Sequence, residues 1–201
     1  MLEAAALECE RGGRTLFRGL SFALRAGEAL RVAGANGSGK TSLLRILCGL
    51  AAPSAGEVRW QGSPIGALRE NYARHLVYLG HAPAVKGDLT ATENLAITCT
   101  LAGLQIRKAD LHTALERLGL AAHAVPVRKL SQGQRRRAAL ARLCVSAAPL
   151  WLLDEPFSAL DAGGIDVLRT LVLEQLGRGG VVVFTTHQDP GIEATHVVDL
   201  G

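Results

Sequence analysis

The stretch "GANGSGKTS", residues 34–42, constrains the fold more than any other part of the chain. It fits the pattern G-x-x-x-x-G-K-[ST], follows the apolar run "ALRVAG" and precedes the helical pattern "SLLRILCGL". A buried strand that leads through a tight turn into a helix is typical of a layered α/β core. Backbone N–H groups of the turn and the positive end of the helix then converge on an anion. The sequence therefore predicts a phosphate-binding loop between a strand and a helix.

The side chains of this loop extend the prediction to a nucleotide and Mg²⁺. Lys40 places a positive charge on the β and γ phosphates, and Thr41 offers its hydroxyl oxygen to Mg²⁺. A glycine-rich turn without a ligand is the alternative, but strand, helix, lysine and threonine together favour a nucleotide site. The predicted nucleotide-binding residues of the loop are Gly34, Ala35, Asn36, Gly37, Ser38, Gly39, Lys40, Thr41 and Ser42.

Two adjacent acids end a second apolar run, "LWLLDEP", residues 150–156. Acids at the carboxyl end of a buried strand lie beside the phosphate loop in an open α/β sheet. We expect Asp154 to hold Mg²⁺, through water, and Glu155 to polarise the water that attacks the γ-phosphate. Two ordinary surface carboxylates at a strand exit are the alternative.

A histidine follows a third apolar run in "VVVFTTHQ", residues 181–188. Most single histidines are packed or solvated, but His187 leaves its strand at the same edge of the sheet as the other predicted site residues. Its imidazole can donate to the γ-phosphate and orient the attacking water.

The stretch "LSQGQ", residues 130–134, begins a helix far from the phosphate loop. Ser131 and Gln134 form a capping-box pattern ahead of "RRRAALARLCVSA". The predicted buried stripe of this helix comprises Leu140, Leu143, Cys144 and Ala147. The same capped start is an anion site with the Ser131 hydroxyl and the Gly133 N–H as donors. Because the helix has no obvious way to reach its own phosphate loop, the anion would belong to a second copy of the chain.

The rest of the chain fits one α/β domain. Further strands are predicted at "HLVYLG" and "HVVDLG", and helices over residues 41–50 and 165–176. Residues 2–28 and 56–61 read as short strands of a small antiparallel sheet joined by turns such as "RGGR". Residues 90–148 contain no strand pattern and at least three helices, one opened by the capping-box pattern "TATE" and one over residues 108–118.

Composition narrows the class of protein. A chain of 201 residues with 48% hydrophobic content can bury a sizeable core in one domain. The net charge of +4 is small and spread out apart from the arginines at 135–137, so it does not argue for nucleic acid. The four cysteines form no C-x-x-C pair, which favours reduced thiols in the cytosol. We expect no signal peptide and no spanning helix, since no window reaches the ~18 apolar residues required.

The set "GANGSGKTS", "LSQGQRRRAALAR", "LWLLDEPFSALD" and "TTHQ", in this order and spacing, resembles the ATP-binding subunits of ATP-binding cassette (ABC) transporters over essentially the whole chain. The resemblance implies a P-loop NTPase cassette in a single domain, residues 1–201, with a mostly parallel core sheet, a small antiparallel β subdomain and an inserted helical subdomain, residues 90–148. Two copies would face head to tail and sandwich two ATP molecules with Mg²⁺. The signature residues implied to face the partner's ATP are Ser131, Gln132, Gly133 and Gln134, with the Gln132 side chain pointing away. Asp161, in "SALD", would couple the two sites.

A narrower likeness joins the chain to one branch of that family. The segments "CERGGRTLFRGLSFALRAGE", "GEVRWQG" and "YLGHAPAVKGDLTATENL" are similar to the ATPase subunits of bacterial haem exporters used in cytochrome c maturation. This similarity implies separate integral membrane partners, a haem-related cargo and a peripheral location on the cytoplasmic face of the bacterial inner membrane. Hydrolysis in that branch is associated with release of a haem-loaded chaperone on the far side.

Two residues depart from the family pattern. Arg11 stands where an aromatic residue usually stacks on adenine, and its guanidinium plane can take over that stacking with altered base selectivity. His81 stands where a glutamine usually links the Mg²⁺ site to the membrane partner, and it keeps one donor and one acceptor.

Three other functions compete with haem export. An ABC ATPase subunit for another exported cargo would share every motif. A non-transport cassette ATPase acting on nucleic acid or ribosomes usually has two cassettes or a long coiled-coil insertion, and only the arginines at 135–137 favour it, although such a trio is more often solvated or packed at a dimer interface. We therefore expect no nucleic-acid partner. A P-loop kinase or GTPase would leave "LSQGQ" and His187 unexplained.

Overall fold

The computed structural model describes residues 1–120, 125–187 and 191–201 of the chain. Its elements, in chain order, are β1 (Leu2–Arg11), β2 (Arg14–Leu24), β3 (Ala29–Ala33), α1 (Lys40–Leu47), β4 (Ala55–Trp60), β5 (Ser63–Pro64), α2 (Ile65–Leu68), α3 (Glu70–Arg74), β6 (Leu76–Leu79), α4 (Ala91–Leu101), α5 (Lys108–Arg117), a 3₁₀ helix (Val127–Lys129), α6 (Gln132–Val145), β7 (Leu150–Leu153), α7 (Ala162–Gly177), β8 (Val181–Thr185) and β9 (His196–Asp199).

A five-stranded parallel sheet forms the centre of the fold, in the order β6-β7-β8-β3-β9. Every residue of β7 and β8 is buried, as expected for strands covered on both faces. All five apolar runs singled out in the sequence are strands of this sheet. Because β3, β7 and β8 run in the same direction, the phosphate loop, the paired acids and His187 all leave the sheet at one edge.

A four-stranded antiparallel sheet, in the order β2-β1-β4-β5, covers one side of the core. Its first two strands are 10 and 11 residues long, so the prediction of short strands was wrong there. A bulge at Ala6, which has a φ of 48°, breaks the alternation of buried and exposed side chains along β1. The sequence pattern therefore does not show that β1 is one long strand. The turn between these two strands is formed by Gly12 and Gly13, as predicted from "RGGR".

The described part of residues 90–148 contains helices and no strand, as predicted; residues 121–124 lie outside the described residues. Both predicted capping boxes are present. The Glu93 N–H donates to the Thr90 hydroxyl over 3.2 Å and the Thr90 N–H to the Glu93 carboxylate over 2.8 Å. In the second box, the Gln134 N–H donates to Ser131 Oγ over 3.2 Å.

Three helix boundaries differ from the predictions. Helix α1 ends at Leu47 rather than near Leu50, because Gly49 turns the chain with a φ of 75° and its N–H bonds the Ile46 carbonyl. Helix α7 begins earlier, after Asp161 caps it. Helix α6 ends at Val145, so Ala147 is exposed outside the helix and does not belong to the buried stripe.

Two apolar clusters lie on opposite faces of the parallel sheet. One packs α1 and the antiparallel sheet against residues such as Leu30, Leu152 and Val183. The other packs the helices α4 to α7 against Trp151 and Phe184. Among the described residues, no helix has the length and apolar content needed to cross a membrane.

Gly56, in β4 opposite the bulge of β1, gives a test of this packing. It has a φ of 81°, and a Cβ there would lie 2.4 Å from the carbonyl oxygens of Ala5 and Ala6. Gly62 has nearly the same φ, 83°, but open space around it. We predict that Gly56→Ala lowers the free energy of unfolding by about 3 kcal/mol or more, since backbone must move. The control Gly62→Ala should cost about 1 kcal/mol, the strain of the left-handed conformation alone. Urea unfolding of both variants checks this, and equal losses would contradict the close approach.

Candidate functional site

The phosphate loop joins β3 to α1 through backbone that glycine favours. Gly39, the residue that precedes α1, has a φ of 107°, and a Cβ there would lie 3.1 Å from the Leu16 Cβ. Gly34 has a φ of 137°, and its added Cβ would lie 2.5 Å from Ser38 Oγ. Close contacts at these two positions thus leave little room for a larger side chain.

Lys40 is the first residue of α1, and its side chain folds back over the phosphate loop. Only 8% of the residue is exposed, and Nζ donates to the carbonyls of Gly34 and Ala35 over 2.7 and 2.9 Å. Carbonyl dipoles neutralise a buried ammonium incompletely, so a phosphate oxygen at this place would be favourable.

Asp154 lies at the end of β7 with 1% of its surface exposed. Its Oδ2 accepts from the Thr41 hydroxyl over 2.7 Å, and its Oδ1 accepts from the Thr185 hydroxyl over 2.9 Å. A hydroxyl oxygen and a carboxylate oxygen side by side are the donor set that Mg²⁺ prefers. The residues predicted to hold the metal are therefore adjacent and fit it.

Thr185 was not predicted as a site residue. Besides donating to Asp154, its hydroxyl oxygen accepts from the Glu155 N–H over 2.7 Å, so it holds both acids at once. The residue is fully buried at the end of an otherwise apolar strand. A threonine at the end of an apolar strand could have been predicted as a site residue, because a buried hydroxyl needs a hydrogen-bond partner.

Glu155 and His187 lie side by side, as predicted from their strand ends. Glu155 Oε1 is 3.1 Å from His187 Nε2, within ion-pair distance but without hydrogen-bond geometry. The glutamate side chain is 14% exposed and the histidine side chain 49% exposed. A shielded carboxylate and an accessible imidazole at this distance can both contact one water molecule. Gln188, the last residue of "TTHQ", lies outside the described residues.

A cavity of about 430 Å³ joins these groups. The loop contributes Asn36, Gly37, Gly39, Lys40, Thr41 and Ser42 to its wall. The remaining wall residues are Leu16, His81, Asp154, Glu155, Ser158 and His187. Six of the nine predicted loop residues, both acids, His187 and His81 thus share one cavity, whereas Gly34, Ala35 and Ser38 do not line it.

Arg11 does not line this cavity. It is exposed at the end of β1, where it pairs with Arg14 across the turn, while Leu16 of β2 lies at the cavity wall. Stacking of Arg11 on a base stays a prediction.

The signature residues also lie outside the cavity wall of their own chain. Ser131 and Gln132 are exposed, and Gly133 and Gln134 are half-buried. A Cβ on Gly133 would lie 2.8 Å from the Ala159 carbonyl oxygen, so the "SALD" loop requires a glycine there. The capped end of α6 is therefore packed against that loop while its first residues face outward.

Arg136 departs from the interpretation of the arginine trio, which expected a solvated face or packing at a dimer interface; Arg135 is exposed. Arg136 is buried, with 3% exposed, and donates to five backbone carbonyls: Gly80, His81, Asp154, Glu155 and Pro156. Burial lowers the pKa of Arg136, opposed by attraction to Asp154 and Glu155. Arg136 precedes Leu140 by four residues, a spacing compatible with the buried stripe, but this spacing does not identify the carbonyls that make burial of an arginine favourable. Arg135 bonds the carbonyls of Leu130 and Arg128 instead.

The two predicted coupling residues occupy different surroundings. His81 is exposed at the cavity wall, and its carbonyl accepts from Arg136 over 3.1 Å. Asp161 caps α7 by accepting from the Gly164 N–H over 2.9 Å and also pairs with Arg137. The Gly164 N–H and the Arg137 guanidinium hold the pKa of Asp161 below its usual value.

Comparison with known proteins agrees with this arrangement. Residues 17–158 match the sequence profile of the ABC transporter family. The chain is 54% identical over its full length to the cytochrome c biogenesis ATP-binding export protein CcmA of Aromatoleum aromaticum, covering 95% of that protein. It is 49% identical to CcmA of Escherichia coli K12, over 94% of this chain and 89% of that protein.

Solved structures show the same fold. A putative ABC transporter ATP-binding protein from Pyrococcus furiosus superposes with a TM-score of 0.86 at 24% identity, over 99% of this chain and 96% of that one. An ATP-binding cassette solved as a dimer in a post-hydrolysis state with ADP and Pi has a TM-score of 0.77 at 23% identity, over 94% of this chain and 88% of that one. The predicted α/β cassette fold and the family resemblance are both confirmed. The chain belongs to the ABC transporter family and, within it, to the cytochrome c biogenesis ATP-binding export proteins.

Proposed function

We propose that this chain is the ATP-binding and ATP-hydrolysing subunit of a haem exporter for cytochrome c maturation. The observation that carries the proposal is the single cavity in which Lys40, the Thr41–Asp154 pair and the Glu155–His187 pair meet. The names of relatives that are half identical over nearly the whole chain support the cargo class. An ABC ATPase for another exported cargo would use the same cavity.

The phosphate loop binds the nucleotide tail. Loop N–H groups and the start of α1 attract the phosphate oxygens, and Lys40 adds a full positive charge. Lys40 is already held over the loop by two carbonyls, so little ordering is left for the binding step.

Thr41 and Asp154 would hold Mg²⁺ beside the phosphates. When bound, the ion neutralises charge on the β and γ phosphates. Thr185 keeps Asp154 oriented towards Thr41, because it occupies the other carboxylate oxygen.

Glu155 and His187 act on the attacking water. Glu155 accepts a hydrogen bond from the water and polarises it, while His187 donates to a γ-phosphate oxygen. The water oxygen forms a bond to the γ-phosphorus and gives up a proton to Glu155 as the bond to the bridging oxygen breaks, which yields ADP and phosphate.

The complete site requires a second copy of the chain. Ser131 is exposed at the capped start of α6, with Gly133 and Gln134 half-buried beside it. A partner's γ-phosphate would meet the Ser131 hydroxyl and the Gly133 N–H there. We propose a head-to-tail dimer in the ATP state, with Asp161 near the shared seam, in which each chain, residues 1–201, forms one cassette domain.

Separate integral membrane subunits would receive the motion that hydrolysis produces, near His81 and the helical region. The chain would then be peripheral on the cytoplasmic face of the bacterial inner membrane. The arginines at 135–137 give little support to nucleic-acid binding, since one is buried and the other two bond this chain's own groups.

Removal of the water-polarising carboxylate tests hydrolysis directly. We predict that Glu155→Gln lowers ATP turnover by about 100-fold or more, because the amide is a poor proton acceptor. Nucleotide affinity should be retained, and ATP with Mg²⁺ should trap a dimer that size-exclusion chromatography resolves. Undiminished turnover would contradict the role of Glu155, and strictly monomeric elution would contradict the sandwich.

Mixing two defective subunits tests the trans arrangement. A Lys40→Ala chain combined with a Ser131→Arg chain should regain activity, since one of the two shared sites then contains both an intact loop and an intact signature. Each variant alone is the control. If differently tagged chains copurify as mixed dimers and activity stays at the level of either parent, the trans role of Ser131 is wrong.

Copurification tests the cellular role. A tagged full-length chain should fractionate with membranes and bring integral membrane subunits with it, because it must transmit motion to them. Recovery with ribosomes or nucleoid instead would favour a non-transport ATPase.

A further inference from the structure

Arg136 connects helix α6, which begins at the signature residues 131–134, to the edge of the sheet where the proposed catalytic residues lie. It follows Ser131 by five residues on α6 and is almost fully buried. Its Nη1 donates to the carbonyls of Gly80 and His81 over 3.0 and 3.1 Å. Its Nη2 donates to those of Asp154 and Glu155 over 2.9 and 2.7 Å, and Nε reaches the Pro156 carbonyl over 3.4 Å.

These carbonyls belong to two separate chain segments. Gly80 and His81 follow β6, whereas residues 154–156 follow its parallel neighbour β7. All three nitrogens of one planar guanidinium are used, and the planar fork fixes their directions. The Arg136 guanidinium therefore fixes the distance between the ends of β6 and β7 and their position relative to α6.

The backbone of Glu155 needs such support. Its φ is 47°, in the left-handed region that a residue with a side chain adopts only under constraint. Four described contacts restrain it. Arg136 donates to its carbonyl over 2.7 Å, and the Ser158 Oγ and backbone N–H donate to the same carbonyl over 2.9 and 3.2 Å. Its own N–H donates to Thr185 Oγ1 over 2.7 Å. This conformation directs the side chain to within 3.1 Å of His187.

We propose that Arg136 is a positioning residue for ATP hydrolysis: its guanidinium holds Glu155 in the left-handed conformation that aims the carboxylate at the attacking water. The inference rests on the proposed role of Glu155. Arg136 itself makes no hydrogen bond to the phosphate loop within the described chain, so its contribution belongs to turnover rather than to nucleotide binding.

Kinetics of Arg136→Met and Arg136→Lys test the proposal. Methionine keeps most of the length but donates nothing, and lysine keeps the charge but replaces the planar fork of five donors with three donors on one nitrogen, too few for all five carbonyls. Both should lower kcat by about 10- to 100-fold, the scale of a small misplacement of a catalytic group. The KM for ATP and the Kd for ADP should change by less than about threefold.

Arg135→Met is the matched control, because among the described residues the Arg135 side chain bonds only the carbonyls of Arg128, in the 3₁₀ helix, and Leu130, just after it. It should retain kcat. Circular dichroism and ADP binding confirm folding of each variant, and Arg136→Lys carries the test if the methionine variant does not fold. A kcat near that of the unchanged chain in a folded Arg136 variant, or an equal loss in Arg135→Met, would overturn the proposal.

A double-mutant cycle separates positioning from general destabilisation. If Arg136 acts through Glu155, adding Arg136→Met to Glu155→Gln should lower single-turnover hydrolysis by less than about threefold further. Losses that multiply would overturn the proposal. If Glu155→Gln alone leaves turnover intact, the proposed role of Glu155 fails; if it stops turnover while Arg136→Met does not, only the positioning role fails.

Discussion

The parallel pairing of β7, β8 and β3 is the constraint on which the site depends. Leu153 pairs with Phe184 and Val32 with Thr185, so three chain segments distant in sequence leave the sheet at the same edge. Parallel strands that are buried on both faces cannot shift register without exposing apolar side chains or leaving ladder hydrogen bonds unmade. The relative positions of the loop, the paired acids and His187 are therefore fixed by the core, and local flexibility of each loop matters less.

Buried hydrogen bonds then orient the side chains that the sheet places at this edge. Asp154 has a hydroxyl on each carboxylate oxygen, from Thr41 on the loop side and Thr185 on the strand side. A buried carboxylate without such partners would be costly, so these bonds both stabilise the fold and orient the acid. Arg136 likewise stabilises and orients the backbone around Glu155, because its guanidinium donates to the carbonyls of Asp154 and Glu155.

This arrangement suggests how the helical region communicates with catalysis. Helix α6 starts with the capped signature segment and is anchored through Arg136 to the residues beside both His81 and Glu155. Gly133 meanwhile packs against the carbonyl of Ala159 in the "SALD" loop. A shift of α6 would act on the carbonyls of five residues at once, because one rigid guanidinium binds them all. The proposed contact of a partner's nucleotide with Ser131 would thus be linked, through α6 and Arg136, to the acid proposed to polarise the attacking water.

Residue type and spacing in the sequence alone determined the five strands of the parallel sheet, the capped helices, the phosphate loop and the position of the two acids. These features follow from periodicity, caps and glycine geometry, which act over a few residues. Only the tertiary structure decided that Thr185 joins both acids, that Arg136 is buried rather than solvated, that Ala147 lies outside its helix, and that Leu16 rather than Arg11 lines the cavity. Each of these depends on which distant backbone or side chain comes within hydrogen-bonding or packing distance, and that is settled when the sheet and helices pack, not by the local pattern of the chain.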